Sequence, residues 1–174
     1  RIATELGVTG VMAVELFETT DVDGDPAVVV NELAMRPHNT GHWTQDGCVT
    51  SQFEQHVRAV ADMPLGSTAM TADCTVMANV LGGDEDPDMT WSERMIHVWK
   101  RFPEAKIHFY GKDFRPGRKI GHVNISAVQV LDSGAGSAGS SGDQPTAVSP
   151  DDVRKKAQEA AYFLVHGRWP EAIH

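Results

Sequence analysis

The stretch GVMAVELFETTDVDGDPAVVVNELA, residues 10–34, decides the fold. Val11 to Thr19 is strand-like, Ala27 to Ala34 is a second β-branched run, and Asp21-Val22-Asp23-Gly24-Asp25 between them has turn chemistry. Together they read as a β-hairpin. Counting outward from Asp23-Gly24 as a two-residue loop sets Glu15 directly opposite Glu32. Both glutamates interrupt apolar runs, Val11 to Val14 before one and Val28 to Val30 before the other, which withdraws both at least partly from water. Facing carboxylates repel across a sheet. The pair becomes favourable when a cation sits between them. Magnesium takes one or two carboxylates, completed by water and substrate phosphates, so Glu15 and Glu32 are candidate Mg2+ ligands at a nucleotide site, with Asn31 as polar support. A solvated face or a slipped register is the competing reading.

The second strand runs straight into Arg36-Pro37-His38-Asn39-Thr40-Gly41-His42, which concentrates a guanidinium, two imidazoles and an amide at a strand end, where substrates are often held. Arg36 suits a phosphate or carboxylate through its planar fork, and His38 or Asn39 can orient a small ligand. Zinc ligation by His38 and His42 would need a helix, which Pro37 and Gly41 oppose. An ordinary polar turn competes for His42. Farther along, Lys112, Arg115, Arg118 and Lys119 place four cations within eight residues, a candidate phosphate clamp or a solvated hairpin tip.

Around these sites the sequence punctuates itself. Arg1 to Leu6 looks like the end of a helix stopped by Gly7, and a chain without an initial methionine suggests a start inside a larger protein. Ser51-Gln52-Phe53-Glu54 matches a capping box for a helix over 51–62. Strands are expected over 68–81, 107–110 and 119–128, with a helix over 91–102. Arg115-Pro116-Gly117-Arg118 has Pro and Gly where a type II turn wants them. Residues 133–149, rich in Gly, Ser and Ala, read as a flexible loop. A helix over 150–166 is marked by Ser149 as cap, Pro150 in the first turn and Gly167 as stop.

The chain has 174 residues, a formal net charge of -9 and 41% apolar content, enough for one domain or two small lobes. The acidic balance argues against general attraction to nucleic acid or an anionic membrane, so any phosphate must be held by a local basic cluster. No apolar run approaches membrane-span length and no signal peptide is visible, which reads as cytoplasmic. Cys48 and Cys74 have no CxxC spacing and imply neither a disulfide framework nor a zinc cluster.

The strings GVMAVELFETT at 10–20, VVNELAMRPHNTGHWTQDGCVTSQFEQHVRA at 29–59, PLG at 64–66 and YGKDFRPGRKIGHVNI at 110–125 resemble, in order and spacing, the N5-carboxyaminoimidazole ribonucleotide synthetases. These are the ATP-grasp ligases of purine biosynthesis. The resemblance implies an α+β fold: the C-terminal part of an ATP-grasp domain over 1–66, then a small β-rich C-terminal domain over 67–174. It implies Glu15 and Glu32 as metal ligands, with Asn31 and Glu32 facing ATP. It implies Arg36 and His38 as catalytic, His38 as a proton acceptor, and Asn39, Lys112, Arg118 and Lys119 as holding aminoimidazole ribonucleotide. Met35 stands where the family often has proline and Thr40 where it often has serine, changes that bear on loop shape.

The implied reaction joins ATP, bicarbonate and aminoimidazole ribonucleotide to give the N5-carboxylated ribonucleotide, ADP and phosphate, by way of carboxyphosphate, in a homodimer. The family's N-terminal domain and the lobe with its ATP-contacting lysines have no counterpart in these residues, so the chain alone is expected not to turn over. Two other readings stay open: a related ligase such as a formate-dependent glycinamide ribonucleotide transformylase, and a non-catalytic fragment serving as a binding or dimerisation module.

Overall fold

The computed structural model describes residues 1–127 and 149–171, so the expected loop over 133–149, apart from Ser149, and Val128 of the expected strand lie outside the described residues. The chain divides into two compact units, Arg1–Met70 and Thr71–His174. The architecture is mixed, with antiparallel sheets of two strands in one unit and three in the other.

The first unit opens with a single helical turn, α1 (Ile2–Glu5), before the hairpin of β1 (Ala13–Thr20) and β2 (Pro26–Ala34). The hairpin turn is longer than a two-residue loop. Asp21 organises Asp21 to Asp25 by accepting the N–H groups of Asp23 and Asp25 on its carboxylate, at 2.9 and 3.0 Å. This turn pairs Thr20 with Pro26 and Leu16 with Val30, one residue out of step with the count from Asp23-Gly24. A bulge then leaves Asn31 without a cross-strand partner and restores Glu15 opposite Glu32. The facing pair is therefore present, although the turn that was expected to produce it is absent.

Beyond β2, a 3-10 turn over Asn39–Gly41 and the short α2 (Thr44–Gly47) lead to α3 (Gln52–Val60). Ser51 caps α3 by accepting the Glu54 N–H at 3.3 Å. The expected strand over 68–81 begins only at Cys74. Residues before it pair locally instead, Met70 bridging Cys48 and the Val49 N–H donating to the Ala69 carbonyl at 2.9 Å.

The second unit orders its sheet as β3 (Cys74–Leu81), β5 (Lys119–Ala127), β4 (Lys106–Phe109), with β5 central and antiparallel to both neighbours. The helices are α4 (Trp91–Arg101) and α5 (Pro150–His166). Thr90 and Glu93 form a reciprocal capping box at the start of α4. In α5, Val153, Ala157, Ala160, Ala161 and Leu164 are buried, and they join Val80, Val123, Ile125 and Val98 in one apolar core. The small residues on α5 let that helix approach the sheet closely.

Two features tie the connections to this core. Arg94 is 2% exposed on α4, and its guanidinium donates to the carbonyls of Met89, Pro87 and Leu164 and to the Asp86 carboxylate. A single buried cation thus satisfies three backbone acceptors from two separate segments. The turn at Arg115–Arg118 has its expected form: Gly117 sits at φ +69° and the Arg118 N–H reaches the Arg115 carbonyl at 3.0 Å. It is also anchored, because Gly82 donates to the Arg118 carbonyl at 2.8 Å and accepts the Gly117 N–H at 2.7 Å. A Cβ at Gly82 would lie 2.1 Å from the Arg115 carbonyl oxygen.

Arg94→Met is expected to destabilise the second unit by about 3 kcal/mol or more, since it removes the guanidinium from three carbonyls, the Leu164 bond being buried, and from the Asp86 carboxylate. Asp86→Asn is expected to cost about 1 kcal/mol, because the three carbonyl acceptors remain. Chemical denaturation reads both, and equal losses would show that the carboxylate, not the carbonyl set, holds Arg94. Gly82→Ala is expected to displace the basic turn, visible as shifted amide resonances over residues 115–118, where an unchanged spectrum would refute the anchor.

Candidate metal centre

The bulge at Asn31 turns the end of β2 so that Glu15, Glu32 and the residues after the strand converge. One carboxylate oxygen from each glutamate and a ring nitrogen of His38 all lie within 4.8 Å of one another. His38 Nε2 is 3.0 Å from Glu15 Oε1, and the Asn31 amide donates to Glu15 Oε2 at 3.1 Å. Glu15 is half-buried, His38 buried and Glu32 exposed. The expectation that both glutamates are withdrawn from water is corrected for Glu32. The reason is that β2 belongs to a two-stranded sheet and Val28, Val29 and Val30 are themselves exposed at 65%, 52% and 60%.

The residues present fit a hard divalent cation. Two carboxylates supply oxygen donors, and they face one another in a pairing that a bare sheet disfavours. Asn39, next to His38, keeps its Oδ1 buried with no hydrogen-bond partner among the described residues, so a further acceptor stands ready for a ligand or a water. Arg36 is exposed in this loop, and among the described residues its side chain donates to the neighbouring Pro37 carbonyl at 3.1 Å.

His38 and His42 do not form a zinc pair. His38 points Nε2 at Glu15, while His42 turns Nδ1 to the Gln52 amide at 2.8 Å and stacks on Phe53 with ring centroids 5.3 Å apart. Sequence reasoning missed Gln52. It was read only as the first residue of a capped helix, yet its side chain meets the backbone of His38. The sole sequence signal was a polar residue on the helix face that turns inward.

The basic residues belong to the second unit. Lys112 is exposed with its ammonium 5.6 Å from the Tyr110 ring centre, and Arg118 lies 3.8 Å from the Asp113 carboxylate. Lys119 opens β5 and is half-buried. Burial pushes the Tyr110 phenol above its ordinary range, so at neutral pH it is protonated beside His122 Nδ1, 2.6 Å away. The cations share one connection, and they are not the tip of a free hairpin.

Comparison with known proteins follows the same division. A model of the ATP-grasp domain matches residues 1–53, and a model of the phosphoribosylaminoimidazole carboxylase C-terminal domain matches residues 75–132. An N5-carboxyaminoimidazole ribonucleotide synthase of Mycobacterium tuberculosis is 49% identical over 171 residues, covering 98% of this chain and 34% of that protein. The phosphoribosylaminoimidazole carboxylase ATPase subunit of Aquifex aeolicus superposes with a TM-score of 0.65 at 35% identity, covering 94% of this chain and 41% of that one. The N5-carboxyaminoimidazole synthase of Aspergillus clavatus, in complex with ADP and 5-aminoimidazole ribonucleotide, superposes with a TM-score of 0.55 at 36% identity over 70% of this chain and 31% of that one. The chain thus spans about a third of the length of the curated relative it matches. No helix among the described residues is long and apolar enough to cross a membrane. With both units matched in order and nearly the whole chain aligned at 49% identity, the chain belongs to the N5-carboxyaminoimidazole ribonucleotide synthase family of ATP-grasp proteins.

Proposed function

We propose that these residues are the metal-binding and substrate-binding part of an ATP-dependent ligase that carboxylates aminoimidazole ribonucleotide with bicarbonate. The products are N5-carboxyaminoimidazole ribonucleotide, ADP and phosphate, in purine biosynthesis. The observation that carries the reading is the convergence of Glu15, Glu32 and His38 within 4.8 Å. It lies inside the segment matched by the ATP-grasp domain, and a related structure holds ADP and 5-aminoimidazole ribonucleotide.

In this reading Glu15 and Glu32 hold Mg2+, with Asn31 and Glu32 on the nucleotide side. When bound, the ion supplies charge neutralisation for the phosphates during phosphoryl transfer. The chain's own groups do the rest. Asn31 and His38 orient the Glu15 carboxylate, each meeting one of its oxygens. Arg36, exposed beside them, offers a planar fork to an anionic carboxyl or phosphoryl group. Asn39 contributes its unpaired Oδ1 to substrate recognition.

Lys112, Arg118 and Lys119 are assigned to the ribonucleotide phosphate. In a chain of net charge -9 this connection gathers cations of the kind an anion needs. His38 is assigned to holding Glu15, because Nε2 lies 3.0 Å from Glu15 Oε1 while Nδ1 lies 3.0 Å from Thr40 Oγ1. A cytoplasmic homodimer completes the proposal by analogy with the family. The alternative is a module that binds without catalysis.

ADP release measured with bicarbonate, with and without aminoimidazole ribonucleotide, separates these readings. Release stimulated by the ribonucleotide, and lowered about a hundredfold or more by Glu32→Ala or Glu15→Ala, is the expected result for catalytically complete protein carrying these residues. Release that ignores the ribonucleotide would overturn the substrate assignment. Ribonucleotide binding without any release would favour the module. Arg118→Ala is expected to raise KM for the ribonucleotide with little change in kcat, and a pure kcat effect would remove it from the phosphate site.

A further inference from the structure

Gln52 is 7% exposed on the first turn of α3, and its amide is fully engaged. Oε1 accepts the His38 N–H at 2.9 Å, while Nε2 donates to the His38 carbonyl at 2.8 Å and to His42 Nδ1 at 2.8 Å. The orientation of the amide is fixed by chemistry, since an N–H can meet only the oxygen and a carbonyl only the NH2. Its own backbone N–H donates to Thr44 Oγ1 at 2.9 Å, and that hydroxyl donates to the Gly41 carbonyl at 2.6 Å. One side chain therefore takes up both backbone polar groups of a single residue, His38, much as a neighbouring strand would. The loop has been shaped around it: a Cβ at Gly41 would lie 2.4 Å from Gln52 Oε1.

Held this way, His38 occupies the N-cap of the 3-10 turn, and its ring accepts the Thr40 N–H at Nδ1, 3.4 Å away, with Thr40 Oγ1 at 3.0 Å from the same atom. A nitrogen that accepts an N–H must keep its lone pair. In the neutral imidazole the proton is then on Nε2, which faces Glu15 Oε1 at 3.0 Å. A nitrogen carrying hydrogen has no lone pair left for a cation. With the Asn31 amide on Oε2, each oxygen of Glu15 meets one donor. Among the described residues Glu32 receives no such hydrogen bond.

We infer that Gln52 is a positioning residue: by clamping the His38 peptide it holds the imidazole as an Nε2–H donor that orients Glu15, so His38 supports a carboxylate ligand and is not itself a ligand. The inference rests on the reading of Glu15 as a cation ligand given above. Its predicted signature is a metal centre of two carboxylates whose affinity depends on a glutamine that touches neither of them.

The test uses this chain labelled with 15N, with the His38 ring signals identified by their loss in His38→Gln. Wild type is expected to show the Nε2–H tautomer for neutral His38. Gln52→Ala, and Gly41→Ala acting on the same clamp from the other side, are expected to mix the tautomers and weaken Mn2+ binding, read by electron paramagnetic resonance, about 10- to 100-fold. An Nδ1–H tautomer in wild type would overturn the inference whether or not the variants fold. Folded variants with a lowered melting temperature but unchanged tautomer and Mn2+ affinity would make Gln52 merely structural and also overturn it. Wild type that binds no Mn2+, yet shows a Gln52-dependent Nε2–H tautomer, would sink the metal reading while leaving the clamp in place.

Discussion

Two glutamates of like charge, Glu15 and Glu32, face each other across a hairpin, and the first unit is arranged around keeping them there. In a bare sheet this pairing is destabilising. The structure accepts it because the Asn31 bulge, the Asp21 turn and the buried Gln52 each constrain a different part of the approach. The bulge sets which residues face, the turn sets the strand offset, and Gln52 fixes the histidine that reaches back to Glu15. None of the three adds much apolar burial. Together they fix the geometry of a repulsive pair that the proposed cation would make favourable.

The second unit solves a different problem. Its core is conventional, with α5 and the sheet sharing small and β-branched side chains. Yet a fully buried arginine lies beside that core. Arg94 gathers the carbonyls of Met89, Pro87 and Leu164, joining the segment before α4 to α5, and the bond to Leu164 is buried. The Gly82 contact performs the same service for the basic turn, joining the end of β3 to Arg115–Arg118 through two backbone bonds. If this connection binds phosphate as proposed, such anchoring favours it, because cations held in place lose less entropy when an anion arrives.

Elements governed by neighbouring residues were legible in the sequence. The α5 boundaries follow from Ser149, Pro150 and Gly167, and the type II turn follows from Pro116 and Gly117, because capping and turn chemistry act over a few residues. The Glu15–Glu32 pairing was legible too, but through two departures that cancel: a longer turn shifts the strands by one residue and the bulge shifts them back. The strand expected from residue 68 failed because β-branched composition does not say whether a segment has a sheet to join. Residues 69 and 70 find the stretch at Cys48–Val49 instead.

What the sequence determined alone is the local vocabulary and its order: the hairpin, the polar loop after it, the capped helices, the basic turn, and through four ordered strings the family. What only the tertiary structure decided is which polar side chains turn inward. Gln52 and Arg94 look like ordinary surface positions on amphipathic helices, but their partners lie 14 and 70 residues away, at His38 and Leu164. Long-range hydrogen bonds leave no periodic trace in a sequence, because they depend on where the backbone's unmet donors and acceptors lie after the chain has packed.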